Sequence, residues 1–152
     1  CTRYNVDASV CGTYTDENIH VYEALSNSGD FMSSVADRVA YNLNNGLRTM
    51  LYNGQDDIIC NSPNQQNWVG KMAWNSNTKF YDTPFQVWQY ANKTVAGLAK
   101  NTDALTFVIV NKAGHLAPMD QINTTTEMVR RFISDNNNWN QTFTEELDQV
   151  TF

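Results

Sequence analysis

A chain of 152 residues with 41% hydrophobic and 12% aromatic content has the make-up of a folded domain with a sizeable core, which argues against a disordered or low-complexity protein. Its formal charge of −6, with ten scattered Lys and Arg, argues against nucleic acid as a partner, because phosphate binding needs clustered cations. No apolar run approaches the ~20 residues of a membrane span, and three cysteines and two histidines without metal-ligand spacing give no reason to expect a metal or a cofactor.

The chain opens on Cys1 rather than methionine, so further sequence is expected upstream. Residues 1–28 are polar, carry Cys1, Cys11 and Gly12, and sustain neither a helical nor a strand period; they read as a loop-rich opening segment. Cys1 and Cys11 could pair with each other or with a segment outside the chain. His20, alone in Ile19-His20-Val21-Tyr22, is read as structural. From Asp30 the pattern changes: Phe31, Val35, Val39 and Leu43 recur every four residues, widened by Met32, Ala36 and Ala40. That spacing predicts an amphipathic helix with Asp30 as N-cap and Gly46 at C′. Leu47–Tyr52 then reads as a short strand, followed by an acidic turn, Asn53-Gly54-Gln55-Asp56-Asp57.

Ser62-Pro63 has the form of an N-cap followed by Pro at N1, opening a helix to about Lys71 that buries Trp68, Val69 and Met72. The aromatic stretch after Ala73 suits an extended ribbon over Phe85–Tyr90, covered on both faces, with its rings as core and cover. Leu105–Val110, β-branched and aromatic, is the clearest strand and should lie inside a sheet. It runs into Asn111-Lys112-Ala113-Gly114-His115. A helix follows to about Ser134 with Ile122, Val129, Phe132 and Ile133 inward, and Thr124 with Glu127 at capping-box spacing. Residues 135–152 are Asn-rich and acidic and read as a tail laid over the surface.

Two side chains stand where strands end, Asp57 and His115. In an open α/β sheet reactive groups gather at the carboxyl ends of the strands, and neighbouring parallel strands lie about 4.8 Å apart. An Asp accepting from one imidazole nitrogen fixes the tautomer whose other nitrogen can take a proton, the arrangement that activates a serine. The order Asp then His fits the α/β-hydrolase order Ser, Asp, His, yet no Gly-x-Ser-x-Gly occurs in the chain.

The runs MLYNGQDDIIC, VAGLAK…LTFVIV and KAGHLAPMDQ, with WVGKMAW between them, resemble the C-terminal part of the serine carboxypeptidases, and Tyr-Asn-Gly-Gln-Asp-Asp-Ile-Ile is most similar to their vitellogenic-like branch. The resemblance divides the chain into the opening segment 1–28, a matched core 29–134 and a tail 135–152. It implies the C-terminal part of an α/β-hydrolase fold, a mostly parallel sheet with flanking helices. It makes Asp57, rather than Asp56, the triad acid and His115 the base, places Cys60 in the pocket for the residue before the scissile bond, and places Leu116 in the pocket for the departing residue. It implies a peptidase releasing C-terminal amino acids through an acyl-enzyme, or an acyltransferase on the same scaffold, or a non-catalytic secreted homologue. The implied partners are an N-terminal chain or segment carrying the nucleophilic serine, a peptide substrate and a homodimer. Cys1 or Cys11 would bridge to that N-terminal chain if this is a small chain of a cut protein.

The implied compartment is the lysosome or vacuole, or secretion. Three sequons, at Asn92, Asn123 and Asn140, permit glycosylation, although twenty Asn and twenty-three Ser plus Thr produce about three by chance.

Overall fold

The computed structural model describes residue 9, residues 17–134 and residues 138–143, so Cys1 and Cys11 lie outside the described residues. The chain divides into two compact units, Cys1–Ser34 and Val35–Phe152.

In the first unit the expected loop gives way to a helix, α1 (Ile19–Asn27), because Asn18 caps it: its side-chain oxygen accepts from the His20 and Val21 amides at 3.1 and 3.4 Å. The chain leaves α1 through Gly29 at φ 77° and makes a single 3₁₀ turn over Asp30–Met32. Asp30 therefore heads this turn instead of capping the long helix, and Phe31 meets Tyr22 at 5.4 Å between ring centroids. Ser33 is extended, which ends the turn.

The second unit opens with α2 (Ala36–Asn44), five residues after the start that the apolar spacing suggests. Its far end is as expected. Gly46 adopts φ 76°, and the Gly46 and Leu47 amides donate to the Leu43 and Asn42 carbonyls at 3.0 and 2.9 Å, closing the helix in a Schellman pattern. Leu47 is spent on that closure, so β1 starts two residues later than expected and spans Thr49–Gly54.

A helix α3 (Ser62–Lys71) follows, capped by Asn61 rather than Ser62, with the Asn61 side chain accepting from the Asn64 amide at 3.0 Å. It buries Val69 and, just beyond its end, Met72, while Trp68 is half-buried. After a short α4 (Asn77–Asp82), three strands form an antiparallel meander: β2 (Gln86–Gln89), β3 (Val95–Thr102) and β4 (Leu105–Val110). The sequence reading assigns no strand at β3, whose Ala96, Gly97 and Ala99 lack the branched side chains that signal one. β2 is extended as expected, but it is covered on one face only: Trp88 is fully buried and Val87 is exposed.

The sheet order is β1-β4-β3-β2, parallel only between β1 and β4. The expected mostly parallel sheet is thus a mixed one, because short turns through Lys93 and Asp103, both at positive φ, fold β2 to β4 back on each other. Helices cover both faces. Leu105 and Phe107 of β4 face Ala40, Leu43, Val69 and Phe80, and Val108 and Val110 face Trp88, Met128 and Trp139. One charge lies in the first of these layers: Lys100 sits 3.8 Å from the centroid of Phe80 and donates to the Phe80 carbonyl at 3.0 Å, and burial pushes its ammonium below the ordinary value.

Beyond β4 lie α5 (Ala117–Asp120) and α6 (Ile122–Ile133). The buried side of α6 is the reverse of the one its apolar residues suggest: Thr124, Thr125, Met128 and Arg131 are buried, whereas Ile122, Val129 and Ile133 are exposed and Phe132 is half-buried. Arg131 is accommodated because every part of its guanidinium has a partner. It meets Glu127 at 2.9 Å, donates to the Asn138 and Gln141 carbonyls at 2.8 and 2.7 Å, and lies over the rings of Trp88, Trp139 and Phe143. With Glu127 committed to Arg130 and Arg131, and Thr124 to the Tyr90 hydroxyl, the capping box does not form.

The described part of the tail, 138–143, lies mostly exposed over the surface, as expected, but is anchored in the core by two rings. Trp139 is 1% exposed against Trp88, and Phe143 pairs with Tyr90 as a parallel bridge.

Candidate active site

Two loops leave the carboxyl ends of adjacent parallel strands and are tied to each other by backbone. After β1, the Gln55 amide donates to Val110 and the Asp56 amide to Ala113, at 2.8 and 2.9 Å. This contact requires glycine at position 54, where a Cβ would lie 2.2 Å from the carbonyl oxygens of both Ala113 and Gly114. After β4, Lys112 takes φ 54° and the loop is held from behind. The Asp120 carboxylate accepts from the Gly114 amide at 2.7 Å, and the Gln121 side chain donates to the Lys112 carbonyl at 3.1 Å.

The loops bring Asp57 and His115 together, with His115 Nδ1 3.1 Å from Asp57 Oδ2. Asp56 is exposed and contributes its backbone, so of the two adjacent acids only Asp57 meets the histidine. The other Asp57 oxygen, Oδ1, accepts from the Ile59 and Cys60 amides, both at 2.9 Å. The Cys60 amide bond, with the bonds from His115 and Ile59 behind it, outweighs burial and holds the Asp57 carboxyl below its ordinary value of 3.8. The pair is asymmetric in exposure: the Asp57 side chain is 4% exposed and that of His115 is 52%. An ionised acid therefore sits at the inner end of the pair and the imidazole at its exposed end.

A cavity of about 280 Å3 adjoins the pair, lined among others by Tyr52, Asn53, Cys60, Gln65 and His115. Cys60 is half-buried and carries a free thiol. Leu116 is 60% exposed and is not among the residues lining this cavity, so the structure brings Cys60 but not Leu116 to its wall. Asn53, buried at the end of β1, donates from Nδ2 to the Cys60 carbonyl at 2.5 Å and closes the Asp57–Cys60 loop. Asn53, Gly54, Asp120 and Gln121 are absent from the sequence reading of the site. Their contacts run to backbone of other segments, and only the Asn-Gly pair beside the acid was a local signal.

Asp57, Cys60 and His115 are also the one group of metal-ligating side chains found among the described residues, with one ligand atom from each lying within 4.8 Å of the others. Asn92 in the β2–β3 turn, Asn123 on α6 and Asn140 in the 138–143 segment are all exposed. No helix among the described residues is long and apolar enough to cross a membrane.

Residues 4–135 match the serine carboxypeptidase family, a match that begins well inside the opening segment left outside the expected core. The chain is 34% identical over 122 residues to carboxypeptidase Y of Komagataella phaffii, covering 80% of this chain and 23% of that protein. It is 37% identical over 103 residues to the venom serine carboxypeptidase of Apis mellifera, covering 68% and 22%. Serine carboxypeptidase 3 of Oryza sativa subsp. japonica is 34% identical over 115 residues, covering 74% and 22%. The chain thus spans less than a quarter of the length of each of these relatives. Among solved structures, a prohormone-processing carboxypeptidase from Saccharomyces cerevisiae superposes with a TM-score of 0.58 at 23% identity, over 72% of this chain and 25% of that one. That likeness shows the fold, part of an α/β-hydrolase with helices on both faces of the sheet.

Proposed function

The chain belongs to the serine carboxypeptidase family, and we propose that it is the C-terminal portion of a serine-type carboxypeptidase, supplying the acid and the base of a Ser-Asp-His triad. The observation that carries this reading is the Asp57–His115 hydrogen bond at the ends of two adjacent parallel strands. An ionised Asp57 accepting at Oδ2 keeps the proton of neutral His115 on Nδ1 and leaves Nε2 basic. A serine on a preceding portion of the protein gives its proton to Nε2 as its oxygen attacks the scissile carbonyl carbon. The imidazolium so formed is stabilised by Asp57. His115 then returns the proton to the departing amino acid, leaving an acyl-serine, and the same base activates the water that hydrolyses it. Cys60, on the cavity wall, would touch the residue before the scissile bond, and Leu116, beside the base, the departing residue.

The Tyr52–Ile59 run supports placement in the vitellogenic-like branch. Exposure of Asn92, Asn123 and Asn140 supports a glycoprotein of the secretory pathway, as does a relative named a venom carboxypeptidase.

The test uses the full-length protein. A fluorophosphonate should label one serine, and a blocked dipeptide should lose its C-terminal amino acid. Absence of label would sink the catalytic reading, and turnover of glucose esters alone would replace the peptidase by an acyltransferase.

A further inference from the structure

We propose that Asp57, Cys60 and His115 form a reversible binding site for one borderline-soft divalent cation of the zinc class. The three side chains present a carboxylate oxygen, a thiol sulfur and an imidazole nitrogen within 4.8 Å of one another. Around a tetrahedral zinc ion with bonds of about 2.0–2.3 Å, neighbouring ligand atoms stand roughly 3.4–3.6 Å apart. Asp57 Oδ2 and His115 Nδ1, 3.1 Å apart, are already close to that span. With one ligand atom of each residue inside 4.8 Å of the others, a change of side-chain torsion at Cys60 brings its sulfur to that span.

The ligand set decides the class of ion. Thiolate with imidazole selects zinc-like ions over magnesium or calcium, whose preferred ligands are oxygens alone. The ligands are oriented beforehand: Asp57 Oδ1 accepts from the Ile59 and Cys60 amides at 2.9 Å, and Asn53 holds the Cys60 carbonyl. Three protein ligands leave the fourth position to face the adjoining cavity of about 280 Å3, where a water completes the tetrahedron. Spacing along the sequence conceals this site, because His115 lies 58 residues from Asp57.

The ion takes up the nitrogen and the oxygen that now bind each other, so it competes with the Asp57–His115 hydrogen bond. In the proposed peptidase it would act as a reversible inhibitor, but binding itself does not depend on that reading.

The experiment is a titration of the full-length protein with Co2+ as a spectroscopic probe. One equivalent should produce a thiolate-to-cobalt charge-transfer band. The band should vanish in Cys60→Ser, Co2+ binding should weaken by about tenfold or more in Asp57→Asn, and Zn2+ should displace the probe. Independently of any variant, Zn2+ should slow iodoacetamide labelling of the Cys60 peptide, read by mass spectrometry. No band, a band unchanged in Cys60→Ser, or labelling of Cys60 unaffected by millimolar Zn2+ overturns the proposal. A band in a protein that no fluorophosphonate labels would retain this site while removing the catalytic reading.

Discussion

Asp57 makes hydrogen bonds through both oxygens and so stays ionised in the folded chain at a pH where an unstructured carboxylate takes up its proton. The unfolded chain protonates near 3.8 and the folded one lower, so the contribution of Asp57 to stability is complete above the unfolded value and is lost as pH falls through the folded value. Asp57→Asn is therefore expected to flatten the acid loss of stability between about pH 5 and pH 2, measured by denaturant unfolding of the full-length protein. An acid limb as steep as that of the wild type would contradict the assignment. Asn53 is the second residue whose role rests on one bond. Asn53→Ala leaves the Cys60 carbonyl unpaired at a part-buried site and should cost about 1–3 kcal/mol, read as a lower denaturant midpoint. Asp57 and His115 were legible in the sequence because each follows an apolar run and has the right chemistry for its partner. Asn53 was not, because an Asn beside Gly is ordinary turn chemistry until its partner at Cys60 is known.

The same contrast holds for elements. β4 was legible to the residue because it is branched and apolar throughout, and the end of α2 because Gly46 stands where the chain must turn left-handed. α6 turns inward the face opposite to the one its apolar residues suggest. Counting apolar side chains puts Ile122, Val129 and Ile133 inward, but the interior accepts Arg131, whose charge is satisfied by Glu127, two carbonyls and three aromatic rings. The carbonyls and two of those rings come from 138–143, so burial of Arg131 and burial of Trp139 are one event. Trp139→Ala should cost about 3–5 kcal/mol of unfolding free energy. A loss below about 1 kcal/mol would mean that Trp139 does not anchor this segment in the core. The join between the Asp57 and His115 loops gives a sharper test. Gly54→Ala inserts a methyl 2.2 Å from two carbonyl oxygens, so it must part the loops that hold Asp57 and His115. Full-length protein with this change should lose about 1–3 kcal/mol of stability and a larger share of its activity. Unchanged activity would mean that the loops do not need to touch.

For the whole molecule, the four-stranded sheet has β1 at its edge, so the strand that leads to the acid is paired on one side only among the described strands. Leu47, Ile58, Ile59, Ile122 and Ile133 are exposed as well, at 57%, 88%, 77%, 63% and 74%. An unpaired edge together with this much apolar surface predicts that the 152 residues alone associate, bind a hydrophobic dye and lack peptidase activity. A dispersed, dye-silent and active chain would contradict that.

The central claim, that Asp57 and His115 are the acid and base of a serine peptidase, is tested most directly by kcat/KM for a blocked dipeptide in full-length protein carrying His115→Ala. A fall of about 10⁴-fold or more is expected, with folding retained by circular dichroism. A loss of less than about tenfold in a folded protein would contradict it.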